Sequence, residues 1–131
     1  MDKWTRDTSA ALRDMSSSQA ADWLLANYPR EGDKPGVAVK LLAHLSLHKA
    51  DNLRLAEHYL AGPTWAHEWP YEVFAKCLGV RRLVSTLEKV VFDTNRDHSL
   101  LHYHICRLQR TFKSDRDVAT IQGMIDRLSA N

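Results

Sequence analysis

Residues 80–92 read VRRLVSTLEKVVF, and this stretch decides the fold class. Val80, Leu83, Val84, Leu87, Val90 and Val91 recur at steps of three and four, so on a helix they share one face. Arg81 shares another stripe with Ser85 and Glu88, and Arg82 and Lys89 lie seven apart. The same period spreads outward. Downstream, Asp93 to Asp97 reads as a polar turn, and a helix from His98 to Lys113 carries Leu101, Ile105, Leu108 and Phe112. A last helix, Asp115 to about Ser129, buries Val118, Ile121, Ile125 and Leu128, with Asp115 and Asp117 at the positive end of its dipole.

Upstream, Pro70 opens a helix that ends near Leu78, with Gly79 as its cap. Before it, Gly62-Pro63 stops a helix that Asp51 caps and that carries Leu53, Ala56, Tyr59 and Leu60. Pro35 starts a helix to about His48 with Ala38, Leu41, Leu42 and Leu45 as its stripe. Ser16 and Gln19 form a capping-box pattern for a helix to about Asn27, whose buried face is Ala20, Ala21, Leu24, Leu25 and Tyr28. Pro29 ends it, Arg30–Gly36 is a loop, and a short helix over Thr8–Asp14 precedes it. No stretch alternates with period two for long enough to read as a strand. The expectation is a single all-α domain, residues 1–131, of seven to eight short helices. Several helix starts lie near 17 residues apart, so helical hairpins would repeat at roughly 35. An irregular bundle and a short stack of hairpins both fit.

The chain has 131 residues, 44% apolar and 26% charged, with 5 Gly and 4 Pro, which excludes collagen-like, low-complexity and wholly disordered classes. No apolar run approaches the roughly 18 residues a membrane helix needs, and Met1-Asp2-Lys3-Trp4 lacks the basic-then-apolar pattern of a secretion signal. Two cysteines, Cys77 and Cys106, are too few for a disulfide scaffold. A cytoplasmic protein with two reduced, buried thiols is expected. Net charge is +2, unevenly spread. Residues 1–66 balance eight cations with eight carboxylates, whereas residues 76–113 hold eight Lys/Arg against three Asp/Glu. Such a segment is a solvated helix face, or a surface for an acidic protein or a nucleic acid.

Seven histidines invite a search for chemistry. His44 and His48 lie four apart, as do His98 and His102, and two facing pairs can bind zinc. The residues between His44 and His48 are Leu45, Ser46 and Leu47, without the glutamate of a metalloprotease. Surface or partly buried histidines are the simpler reading. His102 and His104 flank Tyr103, so on a helix they point to different sides, which works against paired acid–base catalysis. No phosphate-binding Gly loop, nucleophile elbow or Cys-x-x-Cys is present. The expectation is no catalytic residue, no metal and no cofactor.

Two surfaces remain. On the helix from His98 to Lys113, Tyr103, Arg107 and Arg110 fall at i, i+4 and i+7, opposite the core stripe. Tyr and Arg are enriched where proteins bind proteins, and also suit phosphate contact and base stacking. The loop before Pro70 places Trp65, Trp69 and Tyr71 within seven residues. Its indoles either anchor a partner or clamp the loop onto the helices. Trp23 flanks a core stripe and reads as structural.

The run from Pro70 to Val91, PYEVFAKCLGVRRLVSTLEKVV, resembles small all-helical bacterial immunity proteins, best over about Lys34 to Val91. These are cytoplasmic inhibitors of toxins delivered by neighbouring cells. The resemblance implies tight binding to one toxin domain, usually over its active site, with no reaction of its own. Such inhibitors are often acidic when the toxin is a basic nuclease, and a pI near 8.6 departs from that. The expected function is therefore a non-enzymatic protein-binding module, a cytoplasmic immunity protein. Its expected contacts are Arg81, Arg82, Tyr103, Arg107 and Arg110, with Trp65 and Trp69 next. The alternative is a nucleic-acid binder using the basic residues of 76–113. No membrane partner is expected.

Overall fold

Local signals place most of the helix ends. Asp2 accepts the Thr5 N–H at 2.7 Å and starts α1, Lys3–Arg13. Helix α2, Ser17–Asn27, opens with the capping box: Gln19 N–H donates to Ser16 Oγ at 3.1 Å, and Ser16 N–H to Gln19 Oε1 at 3.2 Å. Pro35 begins α3, Pro35–Leu42, and α4 covers Lys49–Leu60. Helix α5, Trp69–Leu78, has proline in its first turn and ends at Gly79, whose φ of 80° only glycine adopts easily. Then follow α6, Val80–Val91, α7, Ser99–Gln109, and α8, Asp115–Ala130. The computed structural model describes residues 2–91 and 97–130, and among these residues the chain is all-helical with no strand. The expected end of the sixth helix at Phe92 and most of the polar turn over 93–97 lie outside the described residues.

The helices form two rows. Odd helices pack in chain order, α1 on α3, α3 on α5 and α5 on α7. Even helices do the same, α2 on α4, α4 on α6 and α6 on α8. The rows join through α1 on α2, α4 on α5, α5 on α6 and α7 on α8. Successive odd helices begin at residues 3, 35, 69 and 99. The two rows follow the order of a stack of helical hairpins, without close packing between α3 and α4. Most of the predicted stripe residues line one hydrophobic core, with Leu24, Leu41, Leu83, Leu87, Ile105 and Ile121 fully buried, but in α4 the expected Leu53 is exposed and Leu55 is buried instead, and Phe74 of α5 joins the core. No helix among the described residues is long and apolar enough to cross a membrane.

Four boundaries differ from the sequence reading. Helix α1 starts five residues before Thr8, because Asp2 caps it. Helix α3 stops at Leu42, six residues before His48. Beyond it Leu45 and Leu47 pack on the core while Ser46 and His48 are exposed, a short period-two segment. The Arg13 guanidinium donates to the His44 carbonyl at 3.2 Å there. Asp51 is not the cap of α4 but sits in its first turn, where it accepts the Ser17 hydroxyl at 2.6 Å. The same hydroxyl accepts the His48 N–H at 2.8 Å, so α2 caps α4 from outside. Helix α7 stops at Gln109, where Thr111 and Phe112 N–H bond the carbonyls three residues back and the Thr111 hydroxyl takes the Leu108 carbonyl at 2.7 Å.

Candidate functional site

The loop between α4 and α5 lies against the first turns of α3 and α5 and the middle of α7, and Trp65 is its fastener. The Trp65 indole N–H donates to the Tyr59 carbonyl at 2.8 Å, and its backbone N–H to the Tyr71 hydroxyl at 3.1 Å. Burial pushes the Tyr71 hydroxyl above its ordinary pKa, so it stays protonated. The Arg30 guanidinium stacks 4.5 Å from the Trp65 ring and donates to the Ala61 and Pro63 carbonyls. The Trp65 and Trp69 rings meet edge to face at 6.4 Å, over Gly36 in the first turn of α3.

His104 of α7 closes the arrangement. Its Nε2 is 3.0 Å from the Trp65 carbonyl, and the residue is only 4% exposed. A carbonyl can only accept, so Nε2 carries the proton. Nδ1 is then the bare nitrogen, buried without a hydrogen-bond partner among the described residues. Leu101 and Leu108 lie three before and four after His104, so the core period already marked it as an inward position.

On the outer side of the same contact, α7 and the loop form a cleft of about 460 Å³. Glu68, Trp69, Glu72, Tyr103, His104 and Arg107 are among its lining residues. Arg107 Nε donates to both Glu68 carboxylate oxygens, at 3.1 and 3.2 Å, and Nη1 to the Tyr103 hydroxyl at 3.4 Å. The hydrogen bond and the charge of Glu68 hold the guanidinium above its ordinary pKa, so it stays a cation. Tyr103 is 55% exposed, the most exposed large apolar side chain among the described residues. Thus Tyr103, Arg107 and Trp69, predicted on two separate surfaces, meet on one. Glu68 was missed, because a partner 39 residues away leaves no periodic trace in sequence.

The other expected contacts lie elsewhere. Arg110 is exposed at the C-cap of α7, outside this cleft. Arg81 and Arg82 are exposed in the first turn of α6 and line a different groove, together with Arg116 of α8. The basic segment is also divided by its pairing. Lys89 meets Glu57 at 3.0 Å, Arg107 meets Glu68, and Glu88 is taken by Arg127 of α8. Arg96 and Asp93 lie outside the described residues.

The histidine pairs do not assemble a metal centre. His44 and His48 fall beyond the end of α3, so they are not one helical turn apart. His98 is the N-cap of α7 rather than part of its body. Among the described residues no group of three His, Cys, Asp or Glu side chains is placed to hold a metal ion.

A pocket of about 310 Å³ does gather Asp97, His102 and Ser129. Ser129 has one hydroxyl hydrogen, and the Ile125 carbonyl accepts it at 3.0 Å. His102 Nε2, 3.0 Å from Ser129 Oγ, is then the donor and not a base. Cys106 Sγ lies 3.9 Å from its Nδ1 and 3.8 Å from its Nε2, and Asp97 accepts both the N–H and the hydroxyl of Ser99. Burial raises the Cys77 thiol pKa, which keeps it protonated and unreactive at neutral pH.

Compared with protein-family models, with curated proteins and with solved structures, the chain gives no match.

Proposed function

We propose that this protein is a non-enzymatic binding module that presents the cleft between α7 and the aromatic loop to a protein partner. The observation that carries this reading is the Tyr103–Arg107–Glu68 arrangement beside Trp69. An exposed tyrosine is held by a guanidinium, and that guanidinium is itself fixed by a two-oxygen contact with a carboxylate. Side chains ordered before encounter lose less entropy on binding, and Tyr and Arg dominate the energetics of protein interfaces. Trp65 supports the site from behind, with Trp69 at the rim. Following the resemblance of residues 70–91, the partner is a toxin domain and the protein is its cytoplasmic inhibitor.

Co-expression with a candidate toxin domain should protect the host cell, and Tyr103→Ala/Arg107→Ala should weaken capture of that domain at least about tenfold with unchanged helical circular dichroism. Capture equal to wild type would remove the cleft from the interface.

A second reading is a nucleic-acid binder. It is favoured by Arg81, Arg82 and Arg110, which have no carboxylate partner among the described residues. It predicts binding to mixed oligonucleotides that falls steeply with salt. A low-salt gel shift without a retarded band would discard it.

A further inference from the structure

Two grooves outside the cleft join at the C-terminal end of α5. One, of about 520 Å³, runs between α5 and the turn from α7 to α8, over Ala75, Leu108 and Phe112. The other, of about 420 Å³, lies between the first turns of α6 and α8. Gly79, Val80 and Asp117 line both, so they form one trough. The floor of the first groove is apolar, whereas the second is lined mainly by polar and charged side chains, with Leu78 and Val80 as its apolar residues. The walls of the trough carry five exposed cations, Lys76, Arg81, Arg82, Lys113 and Arg116, against the carboxylates Glu72 and Asp117. None of the five cations has a carboxylate partner among the described residues.

The fold brings these charges together from three helices and a turn, although residues 81 and 116 are far apart in sequence. Like charges around one trough repel, and an anion seated there relieves the repulsion. The apolar floor sets the class of anion. Single-stranded nucleic acid binds by stacking its bases on aromatic faces, and among the described residues Phe112 is the only aromatic side chain lining the trough. A peptide that alternates carboxylates with apolar side chains matches both walls and floor.

We propose that this trough receives an acidic, apolar-interspersed segment of the protein partner. Arg81, Arg82 and Arg116 meet its carboxylates, and Val80, Leu108 and Phe112 meet its apolar side chains. The proposal rests on the protein-binding reading and adds a second contact region to it.

The test is an amide NMR titration of the full chain, at low salt, with a short peptide of alternating Glu and Leu. Shift changes are expected at residues 79–85 and 113–117. The apparent affinity should fall at least about tenfold in Arg81→Ala/Arg116→Ala, and the amide spectrum of that variant reports that it is folded. A peptide with Gln in place of Glu should bind more weakly at the same amides. Changes scattered over the surface, no change at low salt, or equal affinity in the double variant would overturn the proposal. So would an oligonucleotide of equal charge that binds the same amides more tightly than the peptide does. Partner capture separates this proposal from the reading beneath it. If Tyr103→Ala/Arg107→Ala loses the partner and Arg81→Ala/Arg116→Ala keeps it, the trough proposal fails alone. If the peptide binds the trough but no protein is inhibited or captured, the binding-module reading fails, and the assignment of the trough to a partner segment fails with it.

Discussion

The loop over 61–68 and the outer face of α7 are built from the same side-chain types, aromatic rings next to a guanidinium. In the loop, every polar group of Trp65 turns inward: the indole N–H to Tyr59, the backbone N–H to Tyr71, the carbonyl to His104. On α7, the Tyr103 ring faces solvent, and among the described residues its hydroxyl meets only Arg107. Both arginines approach an aromatic ring, at 4.5 Å for Arg30 on Trp65 and 5.6 Å for Arg107 on Tyr103. Arg30 then binds loop carbonyls, whereas Arg107 binds the Glu68 carboxylate at the surface. Aromatic content alone does not separate a clamp from a contact surface. The destination of the polar edges does, because a ring whose N–H and neighbouring carbonyl are satisfied inside the protein cannot leave without orphaning them.

The sharpest way to break this contrast is to delete the clamp. Trp65→Ala removes a half-buried indole and its hydrogen bond, and should lower unfolding stability by about 3 kcal/mol in urea titration. Trp65→Phe keeps a ring and loses the donor, so about 1 kcal/mol is expected. A loss below about 0.5 kcal/mol for the alanine variant, the size of an ordinary surface change, would mean that the loop is not fastened by Trp65.

The next largest effect is expected at the other end of the same contact. His104→Ala empties a buried position beside Tyr71 and leaves the Trp65 carbonyl without its donor. A cost of about 2 kcal/mol follows. Hydrogen exchange should then show faster local opening of the loop amides than of α8. Uniform acceleration across the chain would place His104 in the general core and not in the clamp.

These assignments differ in how far the sequence could reach them. Stripes such as Leu101, Ile105 and Leu108 are periodic, so α7 and its outer face were legible, and Tyr103 and Arg107 were found with them. The Ser16–Gln19 and Gly79 signals were also local and were read correctly. The end of α3 was not legible, because Leu45 continues a helical stripe and equally starts the alternating Leu45–Leu47 pair. Only packing on the core decides between them. Partnerships across hairpins were hidden for a different reason. Glu68 with Arg107, Ser17 with Asp51 and Arg116 with Arg81 each join residues more than 30 positions apart, and no one-dimensional period encodes them.

Charge pairs sharpen the same inward–outward distinction through pH. Asp51 is 14% exposed, and the Ser17 hydroxyl first and Arg54 second hold its carboxyl below the ordinary 3.8. A folded-state pKa below the unfolded one adds stability that is complete above pH 3.8 and is lost as pH falls below it. Asp51→Asn should therefore lower stability at neutral pH and flatten the acid limb of the stability profile, read by thermal melts across that range. An unchanged acid limb would show that the α2–α4 contact does not depend on this charge.

The smallest stability effects, and the largest binding effects, are expected on α7. Arg107 and Glu68 form a surface pair, with side chains 48% and 27% exposed, and such pairs contribute at most about 1 kcal/mol. Tyr103→Ala and Arg107→Ala should each stay within about 0.5 kcal/mol of wild-type stability. The same two variants should lose partner capture at least about tenfold, while Trp65→Phe, though less stable, keeps it. This crossed pattern is the discriminating result. If Trp65→Phe lost binding in proportion to its stability and Tyr103→Ala did not, the loop would be the contact surface and α7 the support, reversing the assignment of the two regions.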